Sequence, residues 1–131
     1  MKKGMKNQGE EALIGILDDD ESVRAAIDSL MRSARYRTKL FASAEAFLHS
    51  DQVHEIDCLV VDFHMRGLSG LELQRRLVDE KCPAPIIVVS AHDGDLRETA
   101  LKQGAVAVFG KPFSDEALLA AIRSALGSSG R

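Results

Sequence analysis

The stretch that decides the fold is Cys58-Leu59-Val60-Val61-Asp62-Phe63-His64-Met65-Arg66-Gly67-Leu68-Ser69-Gly70. Its unbroken apolar opening has the length and character of a strand buried on both faces, as in a parallel sheet. The run stops on a carboxylate. A glycine-containing loop follows, and Leu71, Leu73, Leu77 and Val78 then recur at helical spacing. Strand, acid, loop and helix in that order make a βα unit with a charged residue at the strand's carboxyl end.

Working outward, the same order repeats. Upstream, Leu13-Ile14-Gly15-Ile16-Leu17 ends in Asp18-Asp19-Asp20, and Val23, Ile27, Leu30, Met31 and Ala34 share one helical face, with Asp20 as the expected cap. Thr38 to Phe41 fits a second strand, and Ser43 caps a short helix bearing Ala44, Phe47 and Leu48. Downstream, Pro85 opens Ile86-Ile87-Val88-Val89, which ends at Ser90; Asp93 to Gln103 reads as a helix and Val106 to Phe109 as a strand. Ser114 caps a last helix with Ala117, Leu118, Ala121, Ile122 and Leu126. Each crossover between parallel strands must be right-handed and carry its helix back over the sheet. The alternation therefore predicts an α/β fold, a doubly wound five-stranded parallel sheet with five flanking helices.

The 131 residues suit one domain, with a disordered leader at 1–11, the folded domain at 12–126 and a flexible tail or linker at 127–131. A net charge of -3 and a pI near 5.8 argue against nucleic acid binding by this domain itself. Cys58 and Cys82 form no CxxC pair and sit in or beside apolar runs, which fits free thiols in a reducing compartment. The apolar run from Ala12 to Leu17 is too short for a signal peptide or membrane span. A cytoplasmic location with no membrane contact is expected.

Ligands of an open parallel sheet bind outside the carboxyl ends of its strands. There the sequence delivers Asp18 and Asp19, Asp62, Ser90 and Lys111 from the first, third, fourth and fifth strands. Any one of these could be a cap or turn residue, but four strand ends agreeing points to a site. Three carboxylates at one rim repel unless a cation lies among them, and oxygen-only ligation suits Mg²⁺ (or Mn²⁺). Beside such a metal and the Lys111 ammonium, Asp62 is set to attack phosphorus, with the Ser90 hydroxyl donating to the phosphoryl oxygens. The product would be an acyl phosphate.

From Leu13 to Leu126 the chain resembles a response-regulator receiver domain, the phosphoacceptor module of two-component signalling, and its wording is nearest to FixJ-type receivers. The resemblance rests on Ile16-Leu17-Asp18-Asp19-Asp20-Glu21-Ser22-Val23-Arg24, on Leu59 to Gly70, on Val88-Val89-Ser90-Ala91, on Gly104-Ala105 and on Lys111-Pro112-Phe113. Intervals of 43 from Asp19 to Asp62, 28 on to Ser90 and 21 on to Lys111 agree with it. It implies a flavodoxin-like strand order 2-1-3-4-5, Asp62 as the phosphorylated residue, and Asp19 as a direct Mg²⁺ ligand. Asp18 would bind the metal through water, the His64 backbone carbonyl would complete the protein's share, and Lys111 would pair with the phosphoryl group. The Lys111-Pro112 peptide would be cis. Ser90 becomes the switch hydroxyl, and the small Ala91 leaves the phosphoryl group open to a donor or to water.

The same resemblance implies a histidine kinase or histidine phosphotransfer protein as donor, slow self-dephosphorylation rather than enzyme turnover, and homodimerisation on phosphorylation. Arg66 stands where the family usually has proline, and Val108 where it has a switch aromatic, with Phe109 expected in the core instead. His64 and His92, two residues past Asp62 and Ser90, are candidates for tuning phosphoryl lifetime. The helix at Asp93 to Gln103 has few apolar anchors, so it is expected to shift when Ser90 moves. The face made by that helix, the last strand and the last helix is then the partner surface, with Val108 contributing. Two other readings compete: a phosphorylation-independent docking module, and a small haloacid-dehalogenase-type phosphohydrolase with Asp18 as nucleophile and Asp20 as acid. After Leu126 the remaining residues carry no helix-turn-helix or catalytic pattern, so the expectation is either a domain that acts alone on a protein partner or one separated from its output domain.

Overall fold

A computed structural model describes residues 12–51, 53–62, 70–79, 84–90 and 94–129. Strands β1 (Leu13–Leu17), β2 (Arg37–Phe41), β3 (Cys58–Asp62), β4 (Ile86–Ser90) and β5 (Ala107–Gly110) form one sheet. Its order is β2-β1-β3-β4-β5, and every neighbouring pair is parallel. Helices α1 (Glu21–Ser33), α2 (Ala44–Leu48), α3 (Gly70–Asp79), α4 (Gly94–Lys102) and α5 (Asp115–Ser129) make the connections.

Period-two alternation sorts each buried strand onto two apolar layers. Ile14 and Ile16, Cys58 and Val60, Ile87 and Val89 face one side, where they meet Ile27 and Met31 of α1 and Leu118 and Ile122 of α5. Leu13 and Leu17, Leu59 and Val61 face the other, against Phe47 of α2 and Leu73 and Leu77 of α3. Val88 and Val108 meet Ala100 of α4. The central strands β1 and β3 are buried throughout, whereas β2 and β5 lie at the sheet edges and are partly exposed. At Gly15, inside β1, a β-carbon would come within 2.8 Å of Leu59 Cδ1 and 3.1 Å of Ile56 Cδ1, so any side chain there would force those two to shift.

Caps act where expected. The Asp20 carboxylate accepts from the N–H groups of Ser22 and Val23 at 2.9 and 3.1 Å, and the Ser43 and Ser114 hydroxyls accept from Ala46 and Ala117. Three expectations differ in detail. Helix α5 continues through Gly127 to Ser129, so part of the stretch expected as a flexible tail is helical. The fifth strand begins at Ala107, and Val106 is exposed ahead of it. Val78, grouped by spacing with the apolar face of α3, points to solvent, because the buried stripe runs through Leu73 and Leu77. The expected leader at 1–11 lies outside the described residues.

Candidate functional site

Because β1 and β3 pair directly, with Leu17 opposite Val61, Asp18 and Asp62 leave the sheet side by side. Both are buried. The Asp18 N–H donates to the Phe41 carbonyl, and its Oδ1 accepts from the Asp20 N–H at 2.9 Å, which turns the chain from β1 into α1. Across the sheet, β5 pairs with β4 so that Gly110 faces Ser90, and the Lys111 N–H donates to the Ser90 carbonyl at 2.9 Å. The Lys111-Pro112 peptide is cis.

This backbone geometry sends the Lys111 ammonium between two acids. Its Nζ lies 3.2 Å from Asp18 Oδ2 and 3.4 Å from Asp62 Oδ2, with only 20% of the lysine side chain exposed. Burial disfavours the ammonium, but Asp62 and Asp18 outweigh it and hold the Lys111 pKa above its ordinary value. The lysine is therefore a fixed cation at neutral pH. Burial raises the Asp18 carboxyl above the ordinary carboxylate range, and Asp62 adds to the rise, against the Asp20 N–H and Lys111.

Carboxylate oxygens of Asp18, Asp19 and Asp62 lie within 4.8 Å of one another. All are hard oxygen donors at the mouth of a sheet, and Lys111 pairs with Asp18 and Asp62. That donor set fits Mg²⁺ or Mn²⁺, which are held by one or more carboxylates and complete their shells with water.

Five strand-end residues expected from the sequence thus come to one rim: Asp18, Asp19, Asp62, Ser90 and Lys111. Ser90 is buried at the end of β4. His64, Arg66, Ala91 and His92 lie outside the described residues. Val108, expected on the switch surface, is only 4% exposed, because strand alternation turns it beneath α4 onto Val88, Ala100 and Ala105. Its carbonyl accepts from Arg97 Nη1 of α4 at 3.0 Å. Phe109 packs on the opposite layer. Among the described residues, the exposed large apolar side chains beside α4 and β5 are Leu101 and Val106 instead.

One residue was not assigned from sequence. Arg24 Nη1 donates to the Asp18 backbone carbonyl at 2.6 Å, gripping the acidic turn from α1. Its signal is a cation within the first turns of a helix, where the macrodipole disfavours it and some other contact must compensate.

Strand order, acidic rim and buried lysine define a doubly wound α/β domain with a metal-type pocket at the carboxyl ends of its strands. The response regulator receiver domain family matches residues 14–123, and the chain belongs to that family, the receivers of two-component response regulators. It is 44% identical over 118 residues to the response regulator protein TmoT of Ectopseudomonas mendocina, covering 89% of this chain and 54% of that protein. It is 39% identical over 114 residues to the transcriptional regulatory protein FixJ of Bradyrhizobium diazoefficiens, covering 86% of this chain and 56% of that protein. The chain spans about half the length of these relatives. The crystal structure of FixJ-N superposes with a TM-score of 0.81 at 34% identity, covering 94% of this chain and 96% of that one. Neither the docking-module nor the dehalogenase reading is favoured by this membership, and Asp18, the nucleophile the latter requires, is the buried partner of Lys111. Among the described residues, no helix is long and apolar enough to cross a membrane.

Proposed function

We propose that Asp62 is the phosphoacceptor of this receiver. An Asp62 carboxylate oxygen attacks the phosphorus of a phosphohistidine, the P–N bond breaks, and the imidazole nitrogen leaves with the electron pair. Lys111 and Ser90 then hold the transferred phosphoryl oxygens. Asp18, Asp19 and Asp62, with the His64 carbonyl, would hold Mg²⁺ or Mn²⁺, which supplies neutralising charge for those oxygens. The observation that carries this reading is the placement of the Lys111 ammonium within 3.4 Å of Asp62 and 3.2 Å of Asp18. A cation already stands where phosphoryl charge would develop.

Receiver domains interact with histidine kinases, and the donor needs a seat beside Asp62. An apolar groove of about 520 Å³ runs from Lys111 between α1 and the start of α5, lined by Val23, Ile27, Leu30, Pro112 and Phe113. It suits the apolar face of a donor helix in the kinase or phosphotransfer protein. The acyl phosphate draws Ser90 towards it, and the α4, β5 and α5 face passes the change to a partner or a second copy of the chain. The phosphoryl group is lost slowly by hydrolysis rather than in enzymatic turnover, and the setting is cytoplasmic.

Acetyl phosphate with Mg²⁺, followed by intact mass, tests the assignment. One phosphoryl group is expected on the wild type and none on Asp62→Asn; undiminished labelling of Asp62→Asn, or acetyl phosphate hydrolysis that survives Asp62→Asn undiminished, would overturn it.

A further inference from the structure

Gln74 sits on α3 between Leu73 and Leu77, and it is only 2% exposed. Its Nε2 donates to the Ala100 carbonyl of α4 at 3.2 Å. That carbonyl is already used by the N–H groups of Gln103 and Ala105, at 3.2 and 3.0 Å, which close the end of α4. The glutamine bond is thus long and made to a crowded acceptor. The orientation of the amide is fixed by chemistry, since the opposite one would set oxygen against oxygen. Its Oε1 is left buried, with no hydrogen-bond partner among the described residues. An unpaired buried carbonyl costs more than one long neutral hydrogen bond returns.

Among the described residues, α4 is also tied to the sheet by Arg97 Nη1, which donates to the Val108 carbonyl, and by Ala100 packing on Val88 and Val108. Of its side chains from Arg97 to Lys102, only Ala100 is buried. The helix follows β4 in the chain: the strand ends at Ser90 and the helix begins at Gly94.

We propose that Gln74 is a positioning residue that keeps the contact between α3 and α4 deliberately weak. The half-satisfied amide disfavours the observed seat of α4, and the helix is released when the strand end at Ser90 is pulled towards a phosphoryl group. The regulatory half of this inference rests on Asp62 being the phosphoacceptor. The mechanical half does not.

Gln74→Met keeps the length of the side chain and removes both amide atoms, and Gln74→Leu provides a second apolar filling of the same site. Thermal denaturation, amide hydrogen exchange of α4 and beryllofluoride titration by fluorine NMR are compared with wild type, all with Mg²⁺ present. The melting temperature is expected to rise by about 3 °C, α4 amides to exchange more slowly, and the beryllofluoride concentration for half-saturation to increase roughly fivefold. Lower melting temperatures and faster α4 exchange in both variants would overturn the inference and make the amide a plain structural tie. Unchanged half-saturation with a stabilised α4 would overturn its regulatory half. A wild type that takes up no beryllofluoride refutes the phosphoacceptor reading instead, and the exchange comparison still decides the weak contact.

Discussion

Asp62→Asn is expected to make the metal-free protein more stable, although it removes an ion pair. At an effective dielectric near 20, two carboxylates whose oxygens lie within 4.8 Å of each other repel by at least about 3.5 kcal/mol, and Lys111 at 3.4 Å attracts Asp62 by about 5 kcal/mol. Neutralising Asp62 relieves repulsion from both Asp18 and Asp19 and forfeits the Lys111 attraction, a net gain of about 2 kcal/mol over these three contacts. Asp19 is half-exposed, so solvent and salt reduce that gain to about 1 kcal/mol. Lys111 keeps its contact with Asp18, so no buried ammonium is left unpaired. For a domain of this size the melting temperature should rise by about 4 °C in EDTA at low salt. Millimolar MgCl2 should stabilise the wild type more than the variant, since metal relieves the same repulsion. An Asp62→Asn protein that melts below wild type in EDTA, or an equal Mg²⁺ effect on both, would show that the cluster is not under electrostatic strain.

Arg24→Ala should weaken Mg²⁺ binding roughly tenfold by calorimetry, with Arg24→Lys recovering part of it, because the grip on the Asp18 carbonyl orients a ligand; equal affinity in all three proteins would discard that role. The Asp18 carboxyl is raised chiefly by burial, so its contribution to stability is present below the ordinary carboxylate range and lost as pH rises through the raised value. Metal-free protein should therefore lose melting temperature as pH rises from the ordinary carboxylate range through the raised Asp18 value, and Asp18→Asn should flatten that slope. Lys111, raised by Asp62 and Asp18 against burial, contributes stability that is present below the ordinary lysine range and lost only as pH climbs through its raised value. Denaturation scans at alkaline pH should show a loss in wild type that is missing from Lys111→Met. Burial pushes the Cys58 thiol up to about 12, so in a Cys82→Ser background it should resist Ellman's reagent near pH 8 until the protein is unfolded; rapid labelling of the folded protein would contradict its burial.

The parallel sheet was legible because Leu13 to Leu17, Cys58 to Val61 and Ile86 to Val89 are apolar on both faces, a pattern that neither an antiparallel sheet nor a surface helix produces. The rim was legible because each run stops on a polar residue, and sheet pairing converts those stops into neighbours. Contacts made by backbone carbonyls left a fainter trace. The Arg24 bond to Asp18 and the Arg97 bond to Val108 end on atoms that every residue has, so no pairing of residue types announces them. Val108 was misplaced for a different reason: its position relative to Lys111 marks a switch position, but alternation along β5 and the cover of α4 decide what it touches. Gln74 interrupts the Leu73 and Leu77 stripe, and reading that interruption as a buried amide rather than a gap would have found it.

Helix α4 has a thermal consequence as well as a mechanical one. Ala100 of α4 closes over Val88, Ala105 and Val108, all buried, while Arg97 and Gln74 add directional bonds. Displacing the helix would carry that apolar layer into water, and apolar hydration is what gives conformational steps their heat capacity. Any equilibrium that moves α4 should then follow a curved van't Hoff line, in the same sense as global unfolding of the chain but with less curvature. A receiver built this way would have a switching balance that bends with growth temperature rather than changing in proportion to it.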